Sequence, residues 1–265
     1  MANNSSPVKG IIFDMDGVLW RGEKTLADLP SLFSKLESQG IQFVFATNNA
    51  TRSVDMYIEK FLSYGVTIQP NQIITSAMAT AYLLKKKFPS GGPVFIAGEA
   101  GLIHTLADAG FFHAVENVLA VVVGLDRALT YEKLSDATLL INNGALFIGT
   151  NPDPSYPTPR GLQPGAGAMI GFVAIATGVQ PQYAGKPAPV MINMALENLK
   201  LTPQEVLVVG DRLDTDILTG QNAGCRTALV LTGVTTREDL KKWPQSPDMV
   251  CENVTSFVET LLGSK

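Results

Sequence analysis

Asp14-Met15-Asp16-Gly17-Val18 follows directly on the apolar run Ile11-Ile12-Phe13. A run that is apolar at every position is the pattern of a strand buried on both faces, and so of a parallel sheet. In open α/β sheets ligands bind at the C-terminal ends of the strands. Residues one position apart on an extended chain point the same way, so Asp14 and Asp16 can reach a common ligand. Gly17 then lets the backbone turn sharply beside it. Two converging carboxylates repel unless a cation or a shared proton relieves them. A hard cation such as Mg²⁺ suits them, because it takes oxygen ligands and keeps waters. The same five residues also fit a surface turn whose Asp side chains cap nearby backbone N–H groups.

Three further segments repeat the arrangement. Ile41–Ala46 is an apolar run ending in Thr47-Asn48-Asn49. Glu205–Val209 ends in Gly210-Asp211 and continues to Thr215-Asp216, and Gly185-Lys186-Pro187 lies between the two. Each places a polar group of a different kind where a strand stops or a helix starts. Together they supply carboxylates, a hydroxyl, amides and a lysine. That is the set a phosphoryl-transfer site needs: a nucleophile, a metal site and donors aimed at phosphate oxygens. Taken singly, Thr47, Asp211 and Asp216 would also serve as helix caps. Gly185-Lys186 ends like a P-loop, but Pro187 stands where Ser or Thr is required, which argues against Walker-type nucleotide hydrolysis. His104 and His113 fit no zinc spacing, and Trp20 and Trp243 read as packing residues, Trp20 lying just past the Asp14 turn.

Composition narrows the class. The chain has 265 residues, 46% of them hydrophobic, and a net charge of −4. This is enough for one large or two moderate domains, and the acidic balance argues against nucleic acid as a partner. No apolar run approaches the roughly 20 residues of a membrane span. The start, MANNSSPVKG, lacks a signal-peptide core, and Met1 to Ser6 read as a tail. Cys225 and Cys251 are expected as reduced thiols in a cytoplasmic enzyme.

The elements that must position these groups alternate throughout, which predicts α/β layers with parallel sheets. Strands at Asp14 and Thr47, with helices near 29–38 and 53–64, open the chain. A second α/β set begins near Ala77, with strands at 94–97, 120–123 and 145–148 and helices at 77–87, 100–109 and 131–142. After Tyr183 the chain returns through a helix at 189–199, the Val206 strand, a helix at 214–223 and the strand 228–231. A strand near Met249 and a helix at 256–262 close it. Gly161 to Gly167 reads as a loop leading into a helix from Ala168.

DMDGV at Asp14, TNN at Thr47, GKP at Lys186 and GDRLDTDI from Gly210 resemble, in order, the four motifs of the haloacid dehalogenase superfamily. ATNN with Thr51-Arg52, ITSAMATA, Thr150-Asn151-Pro152-Asp153 and GAGAM are similar to its p-nitrophenylphosphatase, NagD and phosphoglycolate-phosphatase subgroup. The resemblance covers nearly the whole chain. It implies a Rossmann-like α/β core of residues 1–77 and 185–265, with a smaller α/β cap of the C2 type at 78–184. It also implies a Mg²⁺-dependent phosphatase of small phosphorylated metabolites, working through an aspartyl-phosphate. Asp14 would be nucleophile and Asp16 acid and base. Asp14, Asp16 (by its carbonyl) and Asp211 would hold Mg²⁺. Thr47, Asn48 and Lys186 would hold the phosphate, Lys186 also acting in catalysis, and Asp216 would support from behind. A phosphotransferase or mutase using the same intermediate remains an alternative, as does a silent binding module, though retention of both Asp14 and Asp16 speaks against the latter. A homodimer through the cap is a further expectation. The core motifs grip only phosphate, so specificity is expected in the proline-rich segment Thr150–Arg160 (Pro152, Pro154, Pro157, Pro159), through Asn151, Asp153, Tyr156 and Arg160.

Overall fold

The computed structural model describes residues 7–158 and 160–263. The expected tail Met1–Ser6 and Pro159 lie outside the described residues. The chain forms two compact units. The first is built from Met1–Thr47, Val54–Ile74 and Met191–Lys265, the second from Asn48–Ser53 and Thr75–Val190. The boundaries expected from sequence, at 77/78 and 184/185, both fall inside the second unit, which also takes in Asn48–Ser53. Local packing accounts for this. Ala50 joins the second unit's core beside Ala77 and Leu102, and Gly101 sits so close to the Thr51 backbone that a Cβ there would lie 2.6 Å from its carbonyl carbon.

The first unit is a six-stranded sheet in the order Met249–Cys251, Arg226–Val230, Val206–Gly210, Gly10–Phe13, Gln42–Thr47, Ile73–Thr75. Gly10–Phe13 runs parallel to both of its neighbours, with Phe13 opposite Val209 on one side and Phe45 on the other. The strand sequences GIIF and VLVVG are buried at every position, as strands covered on both faces must be. Helix Leu29–Ser38 turns Leu29, Leu32, Phe33 and Leu36 inward, the i, i+3, i+4, i+7 stripe of an amphipathic helix. Asp28 caps its N-terminus through the Ser31 N–H. Under that helix Phe13, Phe33, Phe43, Phe45, Phe61 and Trp20 form an aromatic cluster, with Phe45 and Phe61 centroids 4.3 Å apart. Full burial of each such ring is worth about 1.5–3 kcal/mol, so the sheet centre that carries Asp14 is firmly anchored.

The second unit has its own parallel sheet of five strands, in the order Gln182–Tyr183, Leu146–Gly149, Ala120–Val123, Gly92–Ala97, Phe111–His113. Helices Ser76–Lys87, Ala100–Asp108, Tyr131–Asn142 and Ala166–Thr177 belong to it. The proline-rich segment differs from the loop expected from sequence. Ser155–Thr158 pairs antiparallel with Gly161–Pro164 as a β-ribbon, and the following helix starts at Ala166, ahead of the expected Ala168. The expected helix from Asp214 also opens differently, with a wide π turn over Leu213–Ile217 before the short helix Leu218–Asn222. Among the described residues no helix is long and apolar enough to cross a membrane.

Candidate active site

Asp14 leaves the sheet at a switch point. From Gly10–Phe13 the sheet extends one way through Gln42–Thr47 and the other way through Val206–Gly210, the topology at which open α/β sheets form a crevice. The Asp14 N–H donates to the Val209 carbonyl at 2.8 Å, so the residues just past the two strands meet. Asp14, Asp211 and Asp216 each offer a carboxylate oxygen within 4.8 Å of the others. Asp14 is half-buried, while Asp211 is 3% and Asp216 2% exposed.

These carboxylates are held by backbone donors and close contacts. Asp211 accepts from the Val234 N–H at 2.7 Å, and Asp216 accepts from the Arg212 N–H at 3.1 Å within the π turn. The loop after Arg226–Val230 is tied in by the Thr232 hydroxyl, which donates to the Gly17 carbonyl at 2.6 Å. Two glycines make the approach to Asp211 feasible. Gly17 has φ +89, and a Cβ there would lie 2.7 Å from the Asp211 carboxylate; a Cβ at Gly233 would overlap that carboxylate outright. Three hard oxygen donors, two of them buried, form a donor set suited to Mg²⁺. Buried carboxylates this close are relieved by a cation or by a shared proton among them.

Asp16 is set apart from this cluster. Its side chain is exposed, and Oδ1 accepts from the indole N–H of Trp20 at 3.0 Å. Thr47 ends its strand buried. Within the second unit, Asn48, Asn151, Asp153 and Lys186 form one network. Asn48 Oδ1 accepts from the Lys186 N–H at 2.8 Å, and Asn48 Nδ2 donates to the Lys186 carbonyl and to Asp153 Oδ2, both at 3.0 Å. Asn151 Nδ2 donates to the Asn48 carbonyl at 2.8 Å. The Asn48 amide thus brackets the backbone of Lys186, a residue 3% exposed. Tyr156 and Arg160 lie on the ribbon. The Tyr156 hydroxyl is 3.1 Å from Gln163 Oε1 on the paired strand, and Arg160 is exposed.

Sequence reasoning missed the Thr232–Thr235 loop and the bond from Trp20 to Asp16. The first carried a weak signal in Thr-Gly-Val-Thr at the end of an apolar strand. The second depends on side-chain direction and carried none. Trp20, read as a packing residue, is fully buried against Phe61. His113 takes a structural bond, its Nδ1 accepting from the Ile96 N–H.

Fold and cluster together define a doubly wound α/β chain with three carboxylates gathered at the sheet edge. Residues 11–112 match the family model of haloacid dehalogenase-like hydrolases, and residues 183–257 match a HAD-hydrolase-like model. The chain is 39% identical over 254 residues to an acid sugar phosphatase of Staphylococcus saprophyticus, covering 96% of this chain and 98% of that one. Two solved structures are similar. NagD from E. coli has TM-score 0.87 and 34% identity, covering 94% of this chain and 98% of that one. The 4-nitrophenylphosphatase from Thermotoga maritima has TM-score 0.91 and 33% identity, covering 96% and 97%. The chain belongs to the haloacid dehalogenase superfamily, in its NagD- and p-nitrophenylphosphatase-like branch, and is a phosphoric monoester hydrolase.

Proposed function

We propose that the protein hydrolyses phosphate monoesters of small metabolites, sugar phosphates foremost, in two steps through an aspartyl-phosphate on Asp14. The observation that carries this reading is the convergence of Asp14, Asp211 and Asp216 within 4.8 Å at the switch point of the sheet. The relatives named acid sugar phosphatase point to the substrate class.

In the first step an Asp14 oxygen attacks phosphorus in line. The Asp14 O–P bond forms, the ester P–O bond breaks, and Asp16 gives its proton to the departing alkoxide. In the second step Asp16, now ionised, takes a proton from water as that water attacks phosphorus. Inorganic phosphate leaves, the free Asp14 carboxylate returns, and Asp16 is protonated again. Asp14 and Asp211, with the Asp16 carbonyl, would hold Mg²⁺, with Asp216 supporting from behind. Bound there, the ion supplies positive charge that lets an anionic nucleophile meet an anionic phosphoryl group. Thr47, Asn48 and Lys186 are assigned to the phosphate by the order of the motifs. Lys186 adds positive charge that grows in value as charge builds on the equatorial oxygens. Tyr156 and Arg160 are assigned to the leaving group.

Phosphate release from a panel of sugar phosphates, phosphoglycolate, nucleoside monophosphates and p-nitrophenyl phosphate, with Mg²⁺ present, tests the reading. Sugar phosphates should rank among the best substrates. No release from any monoester would sink it. Adding alcohol acceptors separates hydrolysis from phosphotransfer, since a transferase would yield a new ester in place of free phosphate.

A further inference from the structure

Asp16 must serve twice, first protonated and then ionised, and its carboxyl has to stay in one orientation through the exchange. Within the first unit the Trp20 side chain hydrogen-bonds it. The indole N–H lies 3.0 Å from Asp16 Oδ1, and the ring is 0% exposed. That ring is fixed on several sides. Phe61 meets it edge-on at 5.0 Å between centroids, Tyr64 lies tilted against it at 5.7 Å, and Lys60 Nζ stands 4.6 Å above it. Lys60 and Tyr64 are themselves anchored, donating to the Gly22 and Glu23 carbonyls at 2.8 and 3.1 Å. The backbone closes the same small circuit, because the Gly17 N–H donates to the Trp20 carbonyl at 2.7 Å.

We propose that Trp20 is a positioning residue for the acid–base work of Asp16, an inference that rests on the role assigned to Asp16 above. An indole N–H only donates. Bonded to Oδ1, it keeps the proton off that oxygen and leaves Oδ2 as the one that carries it. Because a carboxylate oxygen and a carboxylic carbonyl oxygen both accept, the same bond holds in both protonation states. The carboxyl therefore keeps its rotamer as its role changes. A flexible donor such as lysine would give no such fixed direction, whereas a tryptophan packed on its faces does.

The test is the dependence of kcat/KM on the leaving group. This constant reports the step in which the ester bond breaks, and an alkoxide needs a proton far more than p-nitrophenolate does. Trp20→Phe keeps an aromatic ring against Phe61 and removes the N–H. It should lower kcat/KM on a sugar phosphate roughly tenfold more than on p-nitrophenyl phosphate, a part of the roughly 10²- to 10⁴-fold that general acid catalysis supplies. Asp16→Asn should show the same skew, larger. Replacing Trp20 with 3-benzothienylalanine, which keeps the bicycle and lacks the N–H, covers the case in which phenylalanine disturbs folding. Equal losses on both substrates in these Trp20 variants would make Trp20 merely structural and overturn the proposal. An Asp16→Asn enzyme with no skew would overturn instead the assignment of Asp16 itself.

Discussion

Asp14 and Asp16 are two residues apart yet lie in unlike surroundings. Asp14 is half-buried beside two buried carboxylates, whereas Asp16 is exposed and bonded to an indole. Different environments let one residue type take two roles, here the proposed nucleophile and the proposed proton carrier. Asp14→Asn is nearly isosteric but a poor nucleophile. It should cost on the order of 10³-fold or more in kcat with little change in melting temperature. Turnover near wild type would remove the covalent step. A second prediction concerns a residue away from the chemistry. Burial pushes the Cys225 thiol from 9.0 up to about 11. In the unfolded chain the thiol ionises near its ordinary value, so its protonated burial favours the fold below that pH, and the advantage is lost as pH rises from 9 towards 11. Urea unfolding at pH 8 and 10.5 should show a smaller loss of stability in Cys225→Ala than in wild type. Equal losses would show that other groups govern the alkaline limb.

The proposed reading gives the core motifs only the phosphate that all substrates share, and it assigns the leaving group to the β-ribbon Ser155–Thr158 and Gly161–Pro164. Tyr156 is steadied across the ribbon by Gln163, and Arg160 sits in the connection between its strands. Asn151 and Asp153, expected from sequence to contact substrate, have side-chain or backbone bonds into the Asn48 network. Substituting Tyr156 or Arg160 by Ala should therefore change the ratio of kcat/KM between a bulky aryl phosphate and phosphoglycolate by several-fold, about what one or two pocket contacts provide. An unchanged ratio would move specificity elsewhere. The ribbon also marks where sequence stops being informative. GIIF and VLVVG were legible because strands buried on both faces leave unbroken apolar runs, and the positions of Asp14 and Asp211 at their ends followed from them. Ser155–Pro164 offers prolines and mostly surface positions, with no alternation to read. The π turn at Leu213–Ile217 was hidden for another reason: one extra residue in a turn leaves the apolar pattern almost unchanged while it aims the Arg212 N–H at Asp216.

On the scale of the molecule, the carboxylate cluster exists only once the first unit is folded. Asp14 and Asp211 stand nearly two hundred positions apart in sequence and meet because Gly10–Phe13 and Val206–Gly210 are neighbours in one sheet. Folding without a cation gathers three carboxyl groups that repel one another where they are ionised. An ion that binds the folded unit and not the unfolded chain must then stabilise it by mass action, about 2.7 kcal/mol at a hundred times its dissociation constant. For a chain of this size that corresponds to a rise of roughly 5 °C or more in Tm. Chelation should lower Tm and abolish activity together, and Mg²⁺ should restore both. Asp211→Asn separates the two contributions. Its amide oxygen can still accept from the Val234 N–H, while one of the repelling charges is gone. Without metal the variant should melt at or above the wild-type temperature, and adding Mg²⁺ should leave its Tm almost unmoved. A Mg²⁺-induced shift equal to that of wild type would place the ion away from Asp211 and remove the physical basis for the proposed metal site.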